Sequence, residues 1–137
     1  MKRAMTVTML LAFGIAGMAV AEPVAPPVPW SKSYLEKTGK TPEELNARFK
    51  GKIPDKGEVG VPVYPGSFYY RADMRENGTF MSIVLVSGDE PEKVSAWYKE
   101  HYSGNRKVTI RPFTLYEWML QMIDLKGMKT EIWIALE

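Results

Sequence analysis

The spacing of apolar and polar positions divides the chain into short elements. Residues 67–75 (SFYYRADMR) alternate with a period of two. Phe68, Tyr70, Ala72 and Met74 fall on one side, and Tyr69, Arg71, Asp73 and Arg75 on the other. This is the pattern of a half-exposed strand. Glu76-Asn77-Gly78 reads as a hairpin turn. Residues 79–87 (TFMSIVLVS) are apolar on both faces, as a central strand requires. Residues 107–111 predict a short strand stopped by Pro112. Residues 130–137 (TEIWIALE) predict another, with Ile132, Ile134 and Leu136 on its buried side and Glu131, Trp133 and Ala135 on the opposite one.

Between the strands the period lengthens. Residues 30–51 read as helical. Thr41-Pro42-Glu43-Glu44 combines a capping threonine, a proline suited to the first helical position and a carboxylate able to reach back to the cap. A short turn of helix over residues 31–37 is expected before it, and an end near Lys50-Gly51 after it. Residues 52–66, punctuated by Pro54, Gly57, Gly60, Pro62, Pro65 and Gly66, read as irregular or extended. A further helix opens at residues 88–92, with Asp89 expected as its N-cap and Glu92 three residues on. Val94, Trp97, Tyr98, His101 and Tyr102 then share one face, and Gly104 ends the helix. Residues 115–126 (LYEWMLQMIDLK) admit two readings. Helix is favoured, because Thr114 and Glu117 form a capping box and Glu117, Gln121 and Asp124 share one narrow arc. The alternative is a long strand turning at Lys126-Gly127. The resulting order predicts an α+β fold, an antiparallel sheet with helices packed on one face.

The first 21 residues stand apart. Lys2 and Arg3 precede an uncharged run over residues 5–20 (MTVTMLLAFGIAGMAV), and Ala19-Val20-Ala21 supplies a small-x-small cleavage site. These are the marks of a signal peptide cut before Glu22; the rival reading is a signal retained as an anchor. Residues 22–29 (EPVAPPVP) hold four prolines and predict an extended, proline-rich tether. Residues 30–137 then form a single α+β domain. Removing 21 of 137 residues leaves 116, enough for one domain with its own core. No later apolar run approaches the ~20 residues of a membrane-spanning helix. The expected location is periplasmic or secreted.

Charge and cysteine content narrow the function. The chain has 18 Lys+Arg against 16 Asp+Glu, and the two excess cations, Lys2 and Arg3, both lie in the signal. A formally neutral domain lacks the basic excess that displaces counterions from a nucleic acid, so no nucleic-acid partner is expected. There are no cysteines, hence no disulfide, and the domain must hold by packing alone.

Two patches resemble a recurrent pattern in small exported bacterial domains of uncharacterised function. Val61-Pro62-Val63-Tyr64-Pro65-Gly66 is similar to a "vPxYPG" lead into the first sheet strand. Asp89-Glu90-Pro91-Glu92-Lys93-Val94, followed by Trp97-Tyr98-Lys99, is similar to a "D-x-P-E-K-V-x-x-F-Y-K" strand-to-helix junction, with Trp97 in place of the phenylalanine. The resemblance covers residues 61–102. It implies an α+β fold and export, and no catalytic residue.

No catalytic set assembles from the residues. His101 is the only histidine, so neither a histidine- or cysteine-rich zinc site nor a second histidine is at hand; on the apolar face of its helix it reads as a packed core-edge residue. Asp89, Glu90 and Glu92 read as cap and dipole partners, and lack the spacing of a calcium loop. No P-loop, dinucleotide fingerprint or G-x-S-x-G elbow is present, so no metal and no cofactor is expected. The remaining signal is aromatic. If the sheet face opposite the helices is open, strand alternation places Tyr69, Arg71 and Trp133 there as a mixed aromatic and cationic surface. The expectation is a non-catalytic binding or interaction module of the bacterial envelope, with an envelope protein, peptide or glycan as partner. Its rivals are a hydrolase of an envelope glycan using carboxylates among Asp55, Glu58, Asp73 and Asp124, and a carrier of a small apolar ligand lined by Trp118, Met119 and Met122.

Overall fold

The computed structural model describes residues 23–49 and 53–136. The expected signal and the helix end at Lys50-Gly51 lie outside these residues. Local chemistry accounts for the first helices. The Ser31 hydroxyl accepts from the Tyr34 N–H at 3.2 Å and opens α1 (Lys32–Thr38). The expected capping box opens α2 (Pro42–Asn46): the Thr41 hydroxyl accepts from the Glu44 N–H at 3.1 Å, and a Glu44 carboxylate oxygen accepts from the Thr41 N–H at 2.8 Å. A 3₁₀ turn, Ala47–Phe49, follows. The stretch expected to be irregular contains a short helix, α3 (Lys56–Val59). Asp55 starts it by accepting from the Glu58 N–H at 2.7 Å, and Val59 is buried beneath it.

The sheet has four strands: β1 (Phe68–Met74), β2 (Phe80–Ser87), β3 (Val108–Pro112) and β4 (Thr130–Ala135). Their spatial order is β1-β2-β4-β3, and every neighbouring pair is antiparallel. The fold is therefore α+β. The β1–β2 hairpin closes through the Gly78 N–H to Arg75 C=O bond at 3.0 Å. Gly78 takes φ of 88°, the left-handed conformation that a three-residue hairpin loop demands.

Helix α4 (Pro91–His101) covers the first sheet face. Val94 and Tyr98 pack there with Ile83, Leu85, Ile132 and Ile134 in the main core. Its start differs from expectation. Glu90, not Asp89, occupies the N-cap position, and its side chain makes no cap bond. Asp89 is used elsewhere: the Tyr64 hydroxyl donates to it at 2.5 Å, and Lys93 lies 3.7 Å away. His101 is exposed rather than packed at the core edge, and stacks on Trp97 with ring centroids 4.2 Å apart.

Residues 115–126 form neither a long helix nor a long strand. A single 3₁₀ turn, Glu117–Leu120, is followed by a turn over residues 121–122 and a lone bridge at Ile123. Tertiary pairing overrides the local pattern. Trp30 bridges to Ile123, the Ser31 N–H donates to the Met122 C=O at 2.8 Å, and the Asp124 N–H donates to the Pro29 C=O at 2.7 Å. Leu125 is thereby driven into a second core with Val28, Val86 and Phe113, which covers one end of the second sheet face.

The proline-rich segment packs against the domain from Pro23. The Val24 N–H donates to the Pro54 C=O at 2.9 Å. The Tyr69 N–H donates to the Pro26 C=O at 2.7 Å, and the Val28 N–H donates to the Tyr69 C=O at 3.0 Å. Val24 and Ala25 join the main core and Val28 the second one. This strap lies along the outer edge of β1.

Candidate functional site

The three residues expected on one surface separate into two groups. The register of β1 against β2 shifts between Tyr69 and Arg71, so Tyr70 is an extra residue in the ladder. A bulge of this kind reverses the alternation on either side of it. Tyr69, opposite Leu85, is therefore buried in the main core with α4, at 8% exposure. Phe68 and Tyr70 instead pack into the second core. Arg71 and Trp133 both register with Val84, from the two sides of β2, and meet above it on the second sheet face.

A third residue completes this group. The guanidinium carbons of Arg71 and Arg111 each lie 4.7 Å from the centre of the Trp133 ring. Arg71 reaches in from the β1 side and Arg111 from the β3 side. Each contact contributes about 0.5–1 kcal/mol at an exposed site. The indole N–H of Trp133 donates to Glu131 at 2.7 Å, which fixes the ring. Arg71 donates to Asp73 at 3.0 Å, and Asp73 also accepts from Ser82 at 3.0 Å. Among the described residues no carboxylate pairs with Arg111. Arg111 was invisible in the sequence pattern, because the β3–β4 register spans a long connection that no local signal fixes.

Over the indole, Arg111 keeps the N–H edge of its guanidinium free of any carboxylate among the described residues. That edge matches a carboxylate or phosphate in a planar fork. The bottom of the site is dry, since Val84 is 1% exposed beneath it. The arrangement can bind and orient an anionic or flat polar group; it holds no nucleophile and base in contact.

The other candidates fall elsewhere. Asp55 caps α3, Asp73 belongs to the arginine–tryptophan group, and Asp124 accepts from the Lys126 N–H at 3.0 Å. Glu58 lies in α3, where its backbone C=O accepts from Arg106 at 3.4 Å. Met119 packs into the second core, whereas Trp118 and Met122 are exposed, at 67% and 45%. A cleft of about 660 Å³ lies between the strap and the loop before β1, walled by Val24, Ala25, Val63, Tyr64 and Phe68. Behind it, burial and the Asp89 hydrogen bond push the Tyr64 hydroxyl up to about 12. Burial pushes Tyr98 up to about 12 as well, although its hydroxyl accepts from the Tyr64 N–H at 3.1 Å.

Among the described residues there is no group of three or more His, Asp or Glu able to hold a metal ion. Among the same residues no helix is long and apolar enough to cross a membrane. The class defined by the fold is α+β, built on a four-stranded antiparallel sheet. No protein-family model, curated protein or solved structure matches the chain.

Proposed function

We propose that this protein is an exported, periplasmic or secreted, non-catalytic binding module of the bacterial envelope, and that its binding surface is the open part of the second sheet face around Trp133. The observation that carries this reading is the pair of guanidinium groups on one fixed indole, above a dry floor. Aromatic and arginine side chains are enriched where proteins bind partners. Export rests on the charge, apolar run and cleavage site of the first 21 residues.

The binding reading is tested by titrating the protein with envelope peptides, glycan fragments and lipids while following tryptophan emission and thermal melting. A ligand of the native state raises the melting temperature by mass action. One ligand class should shift both signals, and Trp133→Leu should abolish the response. A panel without effect on either signal sinks the reading. Export is tested separately: fractionation should find the chain outside the cytoplasm with Glu22 as its first residue, and a cytoplasmic chain retaining Met1 would refute it.

A second reading, a carrier of a small apolar ligand, is favoured by the cleft beside the strap. It predicts a melting shift with an apolar ligand that Val63→Asp removes and Trp133→Leu leaves intact.

A further inference from the structure

The two edges of the sheet are treated differently. The edge of β1 is paired by the strap through Pro26 and Val28. Among the described residues the edge of β3 has no such cover. The Ala135 N–H donates to the Lys107 C=O, and the Phe113 N–H to the Lys129 C=O, so the odd-numbered residues of β3 turn their backbone groups toward β4. Val108 and Ile110 therefore turn theirs outward. Among the described residues nothing accepts from their N–H groups or donates to their C=O groups. An unpaired row of this kind is a template for another strand.

Space and charge beside this edge are specific. A groove of about 410 Å³ runs between β3 and α4, with Ile110 on one wall and the small side chains Ser95 and Ala96 on the other. On the opposite side of β3 the alternation places Lys107, Thr109 and Arg111 on the same face as Trp133. Residues 105–111 (NRKVTIR) contain three cations and no acid. On the helix wall, Glu92 and Lys99 offset one another.

We infer that the outer edge of β3 is a docking edge for an extended acidic peptide segment of a partner protein, which adds to the sheet as a fifth strand. Its main chain pairs with Val108 and Ile110. Its acidic side chains, at every second position, meet Lys107 and Arg111, and its intervening small apolar side chains lie in the groove beside α4. This is strand addition, with main-chain bonds supplying affinity and alternate side chains supplying specificity. It rests on the binding-module reading and adds to it a mode of attachment and a partner chemistry.

The test uses two acetylated peptides, one alternating glutamate with valine and one alternating lysine with valine. Amide exchange of Val108 and Ile110 and the emission of Trp133 are followed by titration. The glutamate peptide should bind at least about tenfold tighter than the lysine peptide, since opposed charge selects the partner. It should slow exchange at Val108 and Ile110 by at least about tenfold. Arg111→Glu should lower its affinity by roughly tenfold or more. Ile110→Pro should abolish amide-dependent docking; that N–H makes no ladder bond, and proline is tolerated at such edge positions. Equal binding of both peptides, or no binding of the glutamate peptide, overturns the inference. Protection of the two amides by self-association without peptide overturns it in favour of a second copy. A change in Trp133 emission with both amides still exchanging freely leaves the binding face standing and removes the edge.

Discussion

The Tyr64 hydroxyl is locked between burial and a carboxylate, and this makes the protein sensitive to alkali. Both Tyr64 and Tyr98 hold their protons up to about pH 12, against an ordinary value of 10.0. The folded state thus keeps protons that the unfolded chain releases. This contribution is complete below about pH 10, falls as pH rises, and is spent once pH passes the folded values. Melting temperatures measured from pH 8 to 12 should decline above 10. Tyr64→Phe should make the decline shallower by about one proton; an unchanged slope would show that Tyr64 is not the titrating group. The tryptophans offer a contrast at the same scale. Trp133→Ala strips two arginines of their platform and uncovers Val84, and should cost about 1–3 kcal/mol in chemical denaturation. Trp118→Ala, at an exposed position, should stay within about 0.5 kcal/mol. Equal losses at the two sites would argue against the arginine–indole contacts.

The element that best shows what a sequence carries is α4. Its buried Val94 and Tyr98 follow from the period, but its ends do not, since Glu90 and Tyr102 take the cap positions expected of Asp89 and Gly104, nor does the job of Asp89. Asp89→Ala should cost about 1–3 kcal/mol, because the buried Tyr64 hydroxyl loses its acceptor. Asp89→Asn should recover most of that loss, and Glu90→Ala, at the true N-cap, should change stability by less than about 0.5 kcal/mol. Denaturant midpoints decide the matter, and a larger loss at Glu90 would restore the simple capping role to this junction. The strands were legible too, β1, β3 and β4 from their alternation and β2 from a run apolar on both faces. The bulge at Tyr70 was not, since nothing in SFYYRADMR marks which residue is extra, and one extra residue was enough to send Tyr69 to the other face. Residues 115–126 misled in another way. Their polar residues do share a helical arc, but Trp30, some ninety residues earlier, holds Ile123 extended. The site inherits both effects: Arg71 and Trp133 were readable from alternation, whereas the loss of Tyr69 and the gain of Arg111 needed the register.

At the scale of the molecule, the strap joins the two cores around one sheet edge. Val24 is 1% exposed in the main core and Val28 is 4% exposed in the second. Val24→Ala and Val28→Ala should each cost about 1–3 kcal/mol. Lying in separate clusters, the two losses should add to within about 0.5 kcal/mol. A chain beginning at Trp30 should lose more than either variant. Urea unfolding of the parent, the two single variants, the double variant and the shortened chain provides the check, and a shortened chain as stable as the parent would mean that the strap contributes nothing to the fold.

The position of β4 has a temporal consequence. It lies between β2 and β3, yet it follows both in the chain. During synthesis from the amino end, the β1–β2 hairpin, α4 and β3 all leave the ribosome before the strand that joins them exists. β3 then has no ladder neighbour, and Ile83 and Leu85 lack their partners Ile134 and Ile132. Until β4 appears the sheet cannot be completed, so the four-stranded ladder closes only after every other strand is already in place.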